Sequence, residues 1–107
     1  MAKDTLGGFE LQVLLAVMRL GDEAYGVPIA QAIEESTGKR VILASVYNTL
    51  ERLEQKGLVG STFGQPTRER GGRAKRYFTI TSAGLREVKA AKKALTILWR
   101  GIPVHEG

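Results

Sequence analysis

Residues 43–57, LASVYNTLERLEQKG, place Leu43, Val46, Leu50 and Leu53 at spacings of three, four and three. That spacing aligns the four apolar groups on one stripe of a helix, and Gly57 ends it. Directly after the glycine come LVGSTFG (58–64) and KRYFTIT (75–81), two runs rich in the β-branched and aromatic residues that favour strands. A chain of 107 residues has room for one hydrophobic core. A helix that runs straight into a strand pair around a single core leaves few architectures open.

The flanking segments narrow the choice. Residues 5–20, TLGGFELQVLLAVMRL, carry apolar groups at 9, 13, 14, 17 and 20, with more at 11, 15 and 18. Apolar surface nearly all round predicts a buried helix, closed by Gly21. In AYGVPIAQAIEESTG (24–38), Pro28 sits where a first turn tolerates it, Ile29 and Ile33 lie four apart, and Gly38 is a stop. RVI (40–42) reads as a short extended piece. TSAG (81–84) offers Thr81 or Ser82 as the N-cap of a last helix, along which Leu85, Val88, Ala91, Leu95, Leu98 and Ile102 recur every three or four residues. The expected order is α–α–(short β)–α–β–β–α. It describes a mainly α fold with a small β-hairpin: a winged helix-turn-helix over 1–81 and a C-terminal helix over 82–107, in one compact unit.

Charge placement gives this frame a purpose. GQPTRERGGRAKRYF (64–78) holds five Lys/Arg and one acid, a local charge of +4 out of a net +5. It joins the two strand-like runs, so the charge falls on a hairpin tip. In a winged helix the third helix enters the major groove and the hairpin reaches beside it to backbone or minor groove. The third helix turns short polar groups outward near its start: Ser45 and Asn48, with Tyr47 at the boundary, and Arg52 one turn further on. Asn pairs with adenine in a bidentate way, and Arg pairs with guanine or phosphate. Arg68, Arg70, Arg73, Lys75 and Arg76 would neutralise phosphates, while Gly71 and Gly72 would let the tip approach a duplex without a Cβ in the way. Each feature has a plainer reading: a solvated loop, the solvent side of an amphipathic helix, a tyrosine covering the core edge. Their conjunction in this order favours double-stranded DNA. A protein–protein winged-helix module and an RNA-binding one are the rivals.

Other functions find little support. Zero cysteines rule out disulfides, thiolate metal sites and cysteine nucleophiles. His105 is the only histidine, so no metal site is expected, and Glu34, Glu35, Glu51 and Glu54 read as solvated charges or ion-pair partners. The glycine pairs at 7–8 and 71–72 lack the spacing of a P-loop or dinucleotide motif, so neither enzyme nor cofactor is expected. The longest apolar run, VLLAVM (13–18), falls far short of the roughly 20 residues that span a bilayer. The N-terminal stretch has no signal-peptide pattern, and the expectation is a cytoplasmic protein without a membrane partner.

LGGFELQVLLAV, AYGVPIAQAIEESTG, SVYNTLERLEQKGLV and GGRAKRYFTITSAG together resemble, in order and spacing over about residues 6–84, the PadR-type transcriptional regulators, a family of winged-helix repressors. The resemblance implies a homodimer on a roughly palindromic operator, with Tyr47, Asn48 and Arg52 as helix contacts and Gly72, Arg73 and Lys75 at the wing. The LAS before Val46 departs from the glycine-containing turn usual there, so Ser45 rests on its place along the helix alone. Independently of family, the stripe Leu85, Val88, Leu95, Leu98 and Ile102 approaches the 3.5-residue repeat of a helix seeking a partner, though it could also pack on helix 1 of its own chain. Trp99 has two readings: packing in a dimer interface, or stacking a small aromatic effector as in ligand-responsive members of the family.

Overall fold

The computed structural model describes residues 6–64 and 74–103. Four helices and one antiparallel hairpin follow in the order α1 (Gly8–Leu20), α2 (Gly26–Thr37), α3 (Leu43–Gln55), β1 (Val59–Phe63), β2 (Arg76–Ile80) and α4 (Ser82–Trp99), with a 3-10 turn (Gly21–Glu23) between α1 and α2. The mainly helical winged-helix architecture expected from the sequence is the one observed.

Val13, Leu14 and Val17 of α1, Ile29 and Ile33 of α2, and Val46, Leu50 and Leu53 of α3 meet in one core that Phe78 of β2 closes. The third-helix stripe is thus buried except for Leu43, which opens the helix at the surface. The apolar surface of α1 is likewise buried on one face only, and Leu15 and Met18 stay exposed on the other. A helix covered from two sides by α2 and α3 keeps an outer flank.

RVI (40–42) forms no strand. Its Val41 N–H donates to the Glu34 carboxylate at 2.8 Å, and Ile42 caps α3 with extended backbone. In this five-residue link between α2 and α3, a side chain rather than a neighbouring strand satisfies the amide. The hairpin pairs Val59 with Ile80 through Phe63 with Arg76, and on its other edge Phe78 N–H donates to Ala24 O at 2.8 Å.

Thr81 is the α4 cap: its Oγ1 accepts from Gly84 N–H at 3.0 Å and donates to Gly57 O at 2.7 Å. This clasp ties the end of α3 to the start of α4 across the hairpin. Gly84 is buried under it so closely that an added Cβ would collide with the Leu58 carbonyl oxygen and lie 2.7 Å from Ile80 Cγ1. Along α4, Val88 joins the core, Leu85 and Ala91 are half-buried, and Leu95 and Leu98 are exposed; the helix ends at Trp99, so Ile102, expected on the same stripe, lies beyond it and is also exposed. Among the described residues no helix is long and apolar enough to cross a membrane.

Candidate nucleic-acid interface

With Val46, Thr49, Leu50 and Leu53 turned inward, the α-helical period turns Ala44, Asn48, Glu51 and Gln55 fully outward and leaves Ser45 and Arg52 on one shoulder, Tyr47 and Glu54 on the other. Ser45 and Asn48 are exposed on the first turns, as expected of groups that approach base edges. Tyr47 is 42 % exposed, with its ring against Gly26 at the start of α2, close enough that a Cβ there would collide with its hydroxyl. It therefore covers the joint between α2 and α3 and still offers an edge to solvent.

Arg52 is not a free cation. Its Nε donates to Glu10 Oε2 at 3.2 Å, and Lys56 Nζ donates to the same oxygen at 2.9 Å. Glu10 Oε1 accepts from Gly7 N–H at 2.9 Å, so the carboxylate also caps its own helix. Glu10 is only 6 % exposed. Burial on its own would push this carboxyl up, but the Gly7 amide, Lys56 and Arg52 outweigh it and hold it below the usual carboxylate range. A folded-state value below the unfolded one, about 4.3, means that Glu10 stabilises the fold above that pH and loses its contribution as pH falls through the folded value. Thermal unfolding should therefore show the native chain more stable than Glu10→Gln at neutral pH, with the gap closing below about pH 4.

The hairpin root is built from the remaining expected contacts. Arg76 pairs with Glu54, its Nε donates to Ser61 Oγ at 3.1 Å, and Ser61 Oγ donates to Glu54 at 2.6 Å. Arg76 also stacks 5.0 Å from the Phe78 ring centre. Lys75 Nζ lies 4.4 Å over the Tyr25 ring and 3.3 Å from its hydroxyl, and Tyr25 meets Tyr77 edge-on at 5.5 Å. Lys75 and Arg76 thus fix the hairpin against α3 and the start of α2. Arg68, Arg70, Gly72 and Arg73 lie outside the described residues.

The sequence reading missed Glu10, Tyr25 and Ser61. For Glu10 a signal existed, a glutamate three residues into a helix start. At the far end, Leu98 and Trp99 on α4 are 70 % and 65 % exposed. Among the described residues no group of three or more His, Asp or Glu side chains is placed to hold a metal ion.

Comparisons with known proteins agree with this fold. The family model described as the transcriptional regulator PadR-like family matches residues 14–90, which enclose most of α1, all of α2 and α3, the hairpin and the first half of α4. No curated protein matches the chain significantly. Among solved structures, a PadR-like transcriptional regulator from Bacillus cereus superposes with a TM-score of 0.69 at 21 % identity, covering 84 % of this chain and 82 % of that one. A transcriptional regulator from Clostridium thermocellum gives 0.69 at 23 % identity, covering 83 % of each chain. A PadR family regulator from Eggerthella lenta gives 0.66 at 25 % identity, covering 88 % of this chain and 83 % of that one.

Proposed function

Since the chain belongs to the PadR-like family of transcriptional regulators, we propose that it binds a palindromic DNA operator as a homodimer and represses transcription from it. The observation that supports this reading is the outward polar face of α3, with Ser45, Asn48 and Gln55 unpaired among the described residues, beside a hairpin whose connecting segment carries most of the net charge. Asn48 and the edge of Tyr47 read bases, Arg52 serves the backbone or a guanine, and the cations at 68, 70 and 73 neutralise phosphates beside the groove. The hairpin root is already neutralised by Glu54 and stacked on Tyr25, so phosphate contact falls to the residues beyond it.

The dimer is supported by α4. Its first turns pack into the core of its own chain through Val88. Its last turns carry Leu95, Leu98 and Trp99 exposed, Ile102 is exposed just beyond the helix end, and Leu15 and Met18 are exposed on α1. Monomeric proteins rarely leave so much apolar surface open, and a second copy covers it. Two-fold symmetry then sets the α3 helices about 34 Å apart, one turn of duplex. Sedimentation equilibrium should give twice the chain mass, with Leu98→Asp shifting it to a monomer and moving Trp99 emission to the red. A monomeric native chain at micromolar concentration would remove this part of the reading.

The experiment for the reading as a whole is a mobility shift comparing the DNA upstream of its own gene, random duplex and single-stranded RNA. Preference for RNA would favour the RNA-binding alternative, and no binding to any of them the protein–protein one.

A further inference from the structure

Glu10 is a buried carboxylate that the DNA reading does not use, yet it touches the reading helix twice. We propose that Glu10 is a positioning residue for DNA binding: it holds Arg52 of α3 and Lys56 at the C-cap of that helix in a fixed triad and withholds one of their two charges from phosphate. The inference rests on α3 being the DNA-reading helix.

The geometry makes Glu10 an internal stand-in for a phosphate oxygen. One carboxylate oxygen takes Arg52 Nε at 3.2 Å and Lys56 Nζ at 2.9 Å, while the other is fixed by the Gly7 amide at 2.9 Å. Both oxygens are therefore committed, and the side chain is 8 % exposed. A buried carboxylate stripped of its cations carries a heavy desolvation cost, so a surface phosphate cannot draw both away without lifting α1 from α3. Arg52, by contrast, keeps 53 % of its side chain exposed and uses only Nε in this bond. Its terminal nitrogens make no other hydrogen bond among the described residues. The triad thus presents a guanidinium at a set angle while its net charge is +1 rather than +2. Such an arrangement spends attraction for any duplex in order to keep the orientation that a particular duplex needs, which raises the ratio of specific to random binding.

Glu10→Gln tests this, because the amide keeps the shape and the bond to Gly7 while removing the charge. Binding to a random-sequence duplex is measured against salt concentration, with thermal unfolding used to choose a temperature at which all variants are folded. Glu10→Gln should steepen the log–log salt slope by about 0.9 per subunit and raise random-duplex affinity by up to roughly eightfold per subunit at 0.1 M salt. Glu10→Asp should return the slope towards the native value, and adding Arg52→Ala or Lys56→Ala to Glu10→Gln should cancel the gain. A folded Glu10→Gln with an unchanged slope overturns the proposal, as does a parallel loss of affinity for random DNA and for the DNA upstream of its own gene. If Asn48→Ala weakens binding to that upstream DNA while Glu10→Gln leaves the slope alone, only this inference falls. If the native chain binds no duplex at all, the reading of α3 falls with it.

Discussion

Gly84→Ala is expected to destabilise the chain by about 3 kcal/mol and to lower its melting temperature by roughly 15 °C at fixed protein concentration. The added methyl group would collide with the Leu58 carbonyl oxygen, and that oxygen cannot step aside. It accepts the Thr81 amide at 3.0 Å, and Thr81 in turn caps α4 through Gly84 and holds Gly57 O. Moving Leu58 breaks the clasp, and moving Gly84 tilts α4 away from the core. Ile80, 2.7 Å away on the other side, closes the remaining route. Gly8→Ala is the control: a Cβ there meets nothing within 4 Å, and the melting temperature of that variant should be no lower than that of the native chain. A Gly84→Ala protein as stable as the native one would mean that the α3–α4 clasp is looser than described.

Asn48→Ala should leave stability untouched and remove affinity selectively. The side chain is exposed and makes no hydrogen bond to any described residue, so nothing in the fold depends on it. On its own operator the loss should be about 1–3 kcal/mol per half-site, or roughly 5- to 150-fold. On random duplex it should be small. Arg73→Ala is expected to behave in the opposite manner. It should weaken operator and random DNA alike and reduce the log–log salt slope by about 0.9 per contact. If the two variants weaken both kinds of DNA equally, the division of labour between α3 and the basic segment is wrong.

What was legible in the sequence is what local spacing encodes. Gly21, Gly38 and Gly57 end the first three helices because the stop signal lies within one turn of the helix it ends. Thr81 caps α4 for the same reason. The α3 stripe separated its buried face from its polar face without knowledge of any partner. The extended reading of 40–42 failed as a strand because pairing needs a neighbour, which spacing does not reveal; the Glu34 carboxylate seven residues back took the amide. Glu10 announces its capping role locally, but its pairing was not legible for a related reason, since its cations stand 42 and 46 residues away. Arg76 counted as one more wing cation until the fold brought it to Glu54, 22 residues earlier in the chain. The polar face of α3 could be read residue by residue, whereas the state of each cation depended on long-range pairing.

The most direct test of the central claim is a titration of the DNA immediately upstream of its own gene against random duplex and single-stranded RNA in the same salt. One upstream duplex, carrying an inverted repeat with half-sites about 34 Å apart, should bind at least roughly a thousandfold tighter than random duplex. RNA should be bound no better than random DNA, and Asn48→Ala should abolish most of the difference. Equal affinity for all duplexes, or a preference for RNA, would contradict it.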